Sequence, residues 1–287
     1  RSGSVGAVMF VKICGITNEE DALLAVAQGA DAVGFVFAPS KRQIAAALTR
    51  DIVRRLPPEV LTVGVFRNEA PKRVVDICHQ SGLRAAQLHG HETIDDTRWV
   101  RERVGIVIKG FAAGDPALDR FDDYGADIAL IDSPSPGSGE VFDWSLAEGA
   151  PTNRRLILAG GLTPENVAEA IERVRPWGVD VSSGVERAPA GELERQQLAA
   201  LDDRAESVRD DGVGVGREPV DVRGADLEGR AGHADGGEGV VVVGLGVALE
   251  QAGQRLAQLA AEADERVRDR AQGEMAAQPL TGGGPQL

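Results

Sequence analysis

Cysteine is scarce in this sequence, and apolar runs of membrane-spanning length are missing from it. The 287 residues include two cysteines, Cys14 and Cys78, and no Cys-x-x-Cys pair, which argues against a disulfide framework and a structural zinc site. No stretch reaches the roughly 20 apolar residues that cross a bilayer, and residues 1–7 lack the apolar core of a signal peptide. We therefore expect a cytoplasmic protein that has no membrane partner.

Positive charge is also in short supply. Lysine and arginine number 31 against 45 aspartates and glutamates, so the formal net charge is −14. Such a charge argues against nucleic acid as the main partner. The chain has four histidines; His89 and His91 lack a nearby carboxylate or cysteine ligand pattern, so we interpret them as polar loop residues and expect no metal.

What the sequence has in abundance is an alternation of apolar, β-prone segments with helical ones. About eight such units in a row predict a parallel sheet, and eight is the number that closes a (β/α)8 TIM barrel. The alternative is an open doubly wound sheet, but that fold favours a Gly-x-Gly-x-x-Gly turn where this chain has Cys14-Gly15-Ile16-Thr17. The predicted strands cover residues 8–13, 31–37, 61–66, 85–88, 105–109, 127–131, 156–159 and 179–181.

The end of the first strand offers a candidate base or nucleophile. Side chains alternate along a strand, so Lys12 and Cys14 share one face, and a neighbouring cation can lower the pKa of a thiol from about 8.5. The alternative is a packed core cysteine. Thr17 and Glu20 form a capping-box pattern, which predicts that a helix begins near Asn18.

Two polar side chains at other strand ends suit acid–base chemistry and anion binding. Asp132 ends the sixth strand, across the predicted barrel mouth from Cys14, and its carboxyl group can act as a general acid if burial raises its pKa. A turn residue is the alternative. Arg42, in the second loop, can hold a carboxylate with its planar guanidinium or can be a surface charge.

Small residues follow the seventh and eighth strands. Gly160-Gly161 and Ser182-Ser183-Gly184 can bring backbone amides and hydroxyls close to an anion. Loops after these two strands form a recurrent phosphate site in barrels. We expect a phosphate site here, with ordinary tight turns as the alternative.

In this order, the motifs resemble those of the phosphoribosylanthranilate isomerases of tryptophan biosynthesis over about residues 10–189. The resemblance implies a (β/α)8 barrel without a cofactor. It also implies an Amadori rearrangement of N-(5-phosphoribosyl)anthranilate to 1-(2-carboxyphenylamino)-1-deoxyribulose 5-phosphate. The segments that carry it are VKICGIT (11–17), GADAVGFVF (29–37), QLHG (87–90), FDWS (142–145), GGL (160–162) and VDVSSGVE (179–186).

The same resemblance implies roles for individual residues. Asp132 is the expected general acid and Cys14 the expected general base. The expected partner is a small phosphosugar, and the expected assembly is a monomer or a homodimer. The remaining expected contacts are Arg42, Gln87 and Asp180 for the substrate, and Gly160, Gly161, Ser182, Ser183 and Gly184 for its phosphate.

The chain departs from the family pattern after Pro189. We expect an N-terminal extension at 1–8, an isomerase barrel at 9–207, and a low-complexity tail at 208–287 that is disordered or loosely helical. The last barrel helix is atypical, because residues 192–207 have a thin apolar face. A reading-frame shift near Pro189 and a genuine appended domain both explain the tail. The loop after Asp132 is also shorter than is usual in the family.

Two other functions compete with the isomerase. A catalytically impaired phosphosugar-binding barrel would follow if the aberrant C-terminus spoiled the closure of the barrel. A related isomerase of histidine biosynthesis is the other, but such enzymes use an aspartate where Cys14 stands, so Cys14 argues against it.

Overall fold

Eight parallel strands form a closed barrel in a computed structural model that describes residues 9–133, 143–147, 154–187 and 192–210. Each strand pairs with the next one in the chain, and the eighth pairs with the first, so the predicted (β/α)8 barrel is confirmed. The strands are β1 (Phe10–Cys14), β2 (Ala32–Val36), β3 (Leu61–Phe66), β4 (Ala85–Leu88), β5 (Ile106–Ala112), β6 (Ile128–Asp132), β7 (Leu156–Leu158) and β8 (Gly178–Val181).

Helices follow the strands and cover the outside of the barrel. Within the described part of the chain, no helix is long and apolar enough to cross a membrane. The α-helices are α1 (Glu19–Ala27), α2 (Ala46–Val53), α3 (Pro71–Ser81), α4 (Ile94–Arg101), α5 (Phe121–Tyr124), α6 (Val167–Val174) and α7 (Arg195–Asp210), and the 3-10 helices are Pro116–Arg120, Trp144–Leu146 and Ser183–Val185.

The start of α1 differs from the predicted capping box. Asn18, not Thr17, is the N-cap, and its side-chain oxygen accepts a hydrogen bond from the backbone N–H of Asp21. Asparagine satisfies a free helical N–H at least as well as threonine does. The helix nevertheless begins where the sequence placed it, and the turn between Cys14 and α1 stays short.

Alternation along the strands divides the barrel interior into an apolar floor and a polar rim. At the floor, the rings of Phe10 and Trp177 stack with centroids 4.4 Å apart. Towards the carboxyl ends the inward positions become polar, as parallel barrels require for a site at that face. The inward series are Phe10, Lys12 and Cys14 on β1, Ala85 and Gln87 on β4, and Ile128, Leu130 and Asp132 on β6.

A short hairpin and a long helix follow β8. The hairpin pairs β9 (Glu186–Arg187) with β10 (Glu192–Leu193) in antiparallel fashion, and α7 then lies beside α6. Leu198, Leu201 and Ala205 are buried on α7, so its narrow apolar face is enough to cover the barrel. The predicted extension at 1–8 and almost all of the predicted tail, from residue 211, lie outside the described residues.

Candidate active site

A cavity of about 330 Å³ opens at the carboxyl ends of the strands. It collects nine of the ten site residues that the sequence predicts. The tenth, Gly184, lies in the turn just beyond. The predicted residues that line the cavity are Cys14, Arg42, Gln87, Asp132, Gly160, Gly161, Asp180, Ser182 and Ser183.

A buried ion pair lies beneath Cys14. The Lys12 Nζ atom is 2.8 Å from each carboxylate oxygen of Asp180, and Lys12 has no exposed surface. Burial lowers the pKa of Lys12, but the carboxylate of Asp180 and the Cys14 thiol raise it by more, so its pKa lies above the ordinary value. Burial raises the pKa of the Asp180 carboxyl group, and the Lys12 cation only partly offsets this rise.

The Cys14 thiol does not have the lowered pKa that the sequence predicted. Burial raises its pKa to about 11, and the nearby Lys12 cation only partly offsets that effect. Asp180 adds to the rise, because a carboxylate disfavours a second negative charge beside it. The expectation was wrong because it considered only the Lys12 cation on the same strand face. It did not account for burial, which has the largest effect on the pKa, or for the Asp180 carboxylate on β8.

Asp132 is held through both carboxylate oxygens. Its Oδ1 accepts a hydrogen bond from the backbone N–H of Ser133 at 2.7 Å, and its Oδ2 lies 3.1 Å from Nε2 of His89. The side chain is largely buried yet lines the cavity. The carboxyl group is therefore fixed in direction while it remains able to meet a ligand.

His89 was interpreted from the sequence as a polar loop residue, and the structure places it in the site. Its Nδ1 lies 2.9 Å from Nε2 of Gln87. A usable signal was present, because Gln87 and His89 continue the inward alternation of β4 past its last residue. Cys78, by contrast, is fully buried in α3, and burial raises its pKa to about 12.

Arg42 is already engaged by a carboxylate. Its Nε and Nη2 atoms donate to the two oxygens of Glu186, the Nη2 contact being 2.8 Å long. Both side chains are largely buried. Sequence reasoning missed Glu186 because it stands 144 positions from Arg42 along the chain, and only the turn after β8 brings the two together.

The two small-residue turns pack closely against the chain around them. Gly160 has a φ of +91° and Gly161 one of +66°, a region that favours glycine. A Cβ on Gly160 would lie 2.7 Å from the Ser133 nitrogen, and one on Gly184 would lie 1.9 Å from the Leu162 carbonyl oxygen. A larger side chain at Gly160 would therefore displace Ser133, and one at Gly184 would displace the turn that contains it.

No group of three or more histidine, cysteine, aspartate or glutamate side chains that could hold a metal ion occurs among the described residues. The loop that follows Ser133, at 134–142, lies outside them.

Comparisons with protein families, curated proteins and solved structures all point to the same family. A family model described as N-(5′-phosphoribosyl)anthranilate (PRA) isomerase matches residues 11–200, which carries the similarity past Pro189. A protein of that name from Desulforudis audaxviator is 52% identical over 184 residues, covering 62% of this chain and 89% of the relative.

Solved structures match over a similar span. The phosphoribosyl anthranilate isomerase of Thermus thermophilus has a TM-score of 0.65 at 44% identity, covering 70% of this chain and 100% of its own. An isomerase in complex with reduced 1-(o-carboxyphenylamino)-1-deoxyribulose 5-phosphate gives 0.62 at 44% identity, with the same coverage. Monomers generated from the dimeric Thermotoga maritima isomerase give 0.62 at 43% identity, again with that coverage.

Proposed function

The chain belongs to the N-(5′-phosphoribosyl)anthranilate isomerase family, and on that premise we propose that Asp132 and Cys14 carry out its isomerisation as general acid and general base. The substrate is N-(5-phosphoribosyl)anthranilate and the product 1-(2-carboxyphenylamino)-1-deoxyribulose 5-phosphate. One observation carries the proposal: both side chains line the same cavity from strands three positions apart around the barrel.

The first step opens the sugar ring. The protonated Asp132 carboxyl group donates its proton to the ring oxygen, the C1–O bond breaks, and the nitrogen lone pair forms a cationic Schiff base. The hydrogen bonds from Ser133 and His89 stabilise the carboxylate that this step leaves behind.

The second step removes the proton from C2. With a pKa of about 11, the Cys14 thiol is protonated at neutral pH, so it must first pass its proton to solvent water before it can act as a base. Two positive charges favour the thiolate: the buried ammonium of Lys12 and the Schiff base formed in the first step. The thiolate takes the C2 proton, and the resulting enolamine tautomerises to the ketose.

The other residues that line the cavity offer contacts for the phosphate, the carboxylate and the sugar of the substrate. Gly160, Gly161 and the Ser182-Ser183-Gly184 turn lie together after adjacent strands and take the phosphate. Arg42 takes the anthranilate carboxylate, which has to compete with Glu186 for its guanidinium. Asp180 stays beneath the sugar, paired with Lys12. The partner is thus a small phosphosugar, and the assembly is a monomer or a homodimer in the cytoplasm.

The impaired-barrel alternative depends on a defective C-terminus. The burial of Leu198 and Leu201 on α7 favours the active enzyme, because this helix covers the barrel as a family member requires.

A fluorescence assay tests the proposal. Purified protein added to freshly made N-(5-phosphoribosyl)anthranilate should make the substrate fluorescence decay, in proportion to enzyme concentration. The gene should also restore growth without tryptophan to a strain that lacks this isomerase. No decay and no growth, from a protein that is folded by circular dichroism, would favour the impaired barrel.

A further inference from the structure

Three side chains form a hydrogen-bonded row behind the proposed acid. Gln87 Nε2 lies 2.9 Å from His89 Nδ1, and His89 Nε2 lies 3.1 Å from Asp132 Oδ2. Gln87 is 1% exposed, and its amide nitrogen meets His89 at the wall of the cavity. The row runs from the barrel interior outward to the acid.

The order of donors along the row sets the tautomer of His89. An amide nitrogen can only donate, so Nδ1 of the ring must accept and carry no hydrogen. A neutral ring then carries its hydrogen on Nε2, where it donates to Asp132. The reverse amide orientation would require a hydrogen on Nδ1 and would take the one on Nε2 away from Asp132.

The orientation of the Gln87 amide leaves its oxygen atom unpaired. Its Oε1 is buried and has no hydrogen-bond partner among the described residues. Leaving such an acceptor unpaired lowers the stability of the folded protein. An apolar side chain of similar size would fill this position without leaving an acceptor unpaired. Packing alone therefore does not account for a glutamine here.

The backbone around His89 is fixed by a second group of contacts. Lys109 Nζ donates to the Gly90 carbonyl oxygen at 2.9 Å, and Glu92 accepts from the Gly90 N–H at 2.9 Å. Lys109 and Glu92 also form a buried ion pair of 3.2 Å. The ring itself lies against Gly110, where a Cβ would come within 3.1 Å of its Cγ.

From this geometry we infer that Gln87 and His89 are positioning residues for Asp132: Gln87 holds His89 in its Nε2–H tautomer, and His89 aims the carboxyl group and stabilises its anion. The inference rests on the proposed role of Asp132. It assigns Gln87 a task carried out through His89, which is distinct from the direct substrate contact expected from the sequence.

Nuclear magnetic resonance of the resting full-length protein tests the tautomer without reference to turnover. In a long-range ¹H–¹⁵N correlation spectrum, His89, assigned by its loss in His89→Gln, should show a protonated Nε2 and a bare Nδ1. Gln87→Leu should abolish that single-tautomer pattern, while Gln80→Leu, at an exposed site on α3, should leave it intact. A pattern unchanged in Gln87→Leu overturns the inference. If Gln87→Leu does not fold, Gln87→Met replaces it.

Steady-state kinetics tests the consequence for the acid. Gln87→Leu and His89→Leu should each lower kcat at least about tenfold with KM changed less than about twofold, because the acid and not the binding of the substrate is disturbed. His89→Gln, which can still donate to Asp132, should recover most of the loss. Equal kcat values in all variants, or a change confined to KM, contradict the inference. If the wild type has no turnover, the proposed function fails while the tautomer result still stands.

Discussion

Lys12 and Asp180 face each other across the pairing of β1 with β8, with the ammonium nitrogen 2.8 Å from both carboxylate oxygens. Cys14 lies two residues further along β1, so both charges affect the pKa of its thiol: Lys12 lowers it and Asp180 raises it. The pair therefore links the stability of the barrel to the chemistry of its proposed base.

Breaking that pair from one side should be costly. Lys12→Met leaves the Asp180 carboxylate buried without its partner, and we expect a loss of about 3–5 kcal/mol in the free energy of unfolding. Adding Asp180→Leu removes the orphaned charge and should restore most of the loss. Urea denaturation of the two variants and the wild type measures this. A double variant as unstable as the single one would show that packing, not charge, dominates.

The reactivity of Cys14 should follow its raised pKa. Because the folded protein favours the protonated thiol, the thiolate fraction is small at neutral pH and grows about tenfold per pH unit until the pKa near 11 is reached. In a Cys78→Ala background, the rate of alkylation by iodoacetamide should therefore rise steadily from pH 7 to pH 10. A plateau by pH 8 would mean that the thiol has the lowered pKa predicted from sequence alone.

Removing either proposed catalytic group should affect turnover more than binding. We expect Cys14→Ser and Asp132→Asn each to lower kcat by about 10²-fold or more, with little change in KM, since general acid–base groups contribute at this level. Cys78→Ala and Asp123→Asn, both remote from the cavity, serve as matched controls. Near-normal turnover in either catalytic variant would remove that residue from the mechanism.

Glu186 should compete with the carboxylate of the substrate for Arg42. Replacing it by glutamine weakens the ion pair and frees the guanidinium, so KM should fall a few-fold while kcat stays unchanged. The measurement is steady-state fluorescence decay over a range of substrate concentrations. A higher KM in Glu186→Gln would instead mean that Glu186 aligns Arg42 for binding.

The apolar face of α7 should contribute to stability despite its small size. Leu201 is 1% exposed, and Leu201→Ala should lower the free energy of unfolding by about 2–5 kcal/mol. Leu48→Ala is the matched control, because Leu48 is 48% exposed on α2 and should change stability by less than about 0.5 kcal/mol. Equal stability of the two variants would mean that α7 does not cover the barrel.

The sequence predicted best what local patterns determine. The bounds of β3 and β4 agree with the structure to the residue, and strand alternation placed Lys12 and Cys14 on the same face of the first strand. Alternation of apolar and polar side chains is a property of neighbouring residues, so it can be read without knowing the fold.

What the sequence could not predict depends on residues that are distant along the chain. Lys12 alone suggested a lowered thiol pKa, but burial and Asp180 reverse the direction. Arg42 suggested a free anion clamp, but Glu186 already holds it. Both corrections concern charges, whose effect depends on burial and on partners that the closed barrel supplies.

The register of β1 against β8 has a consequence for folding. Lys12 and Asp180 are separated by 168 positions along the chain. During synthesis, the ion pair beneath Cys14 can therefore form only after most of the barrel has been made. A nascent chain that stops short of β8 has seven strands and a lysine with no anion to neutralise it. The proposed base therefore gains its complete electrostatic surroundings only after β8 has been made and has paired with β1.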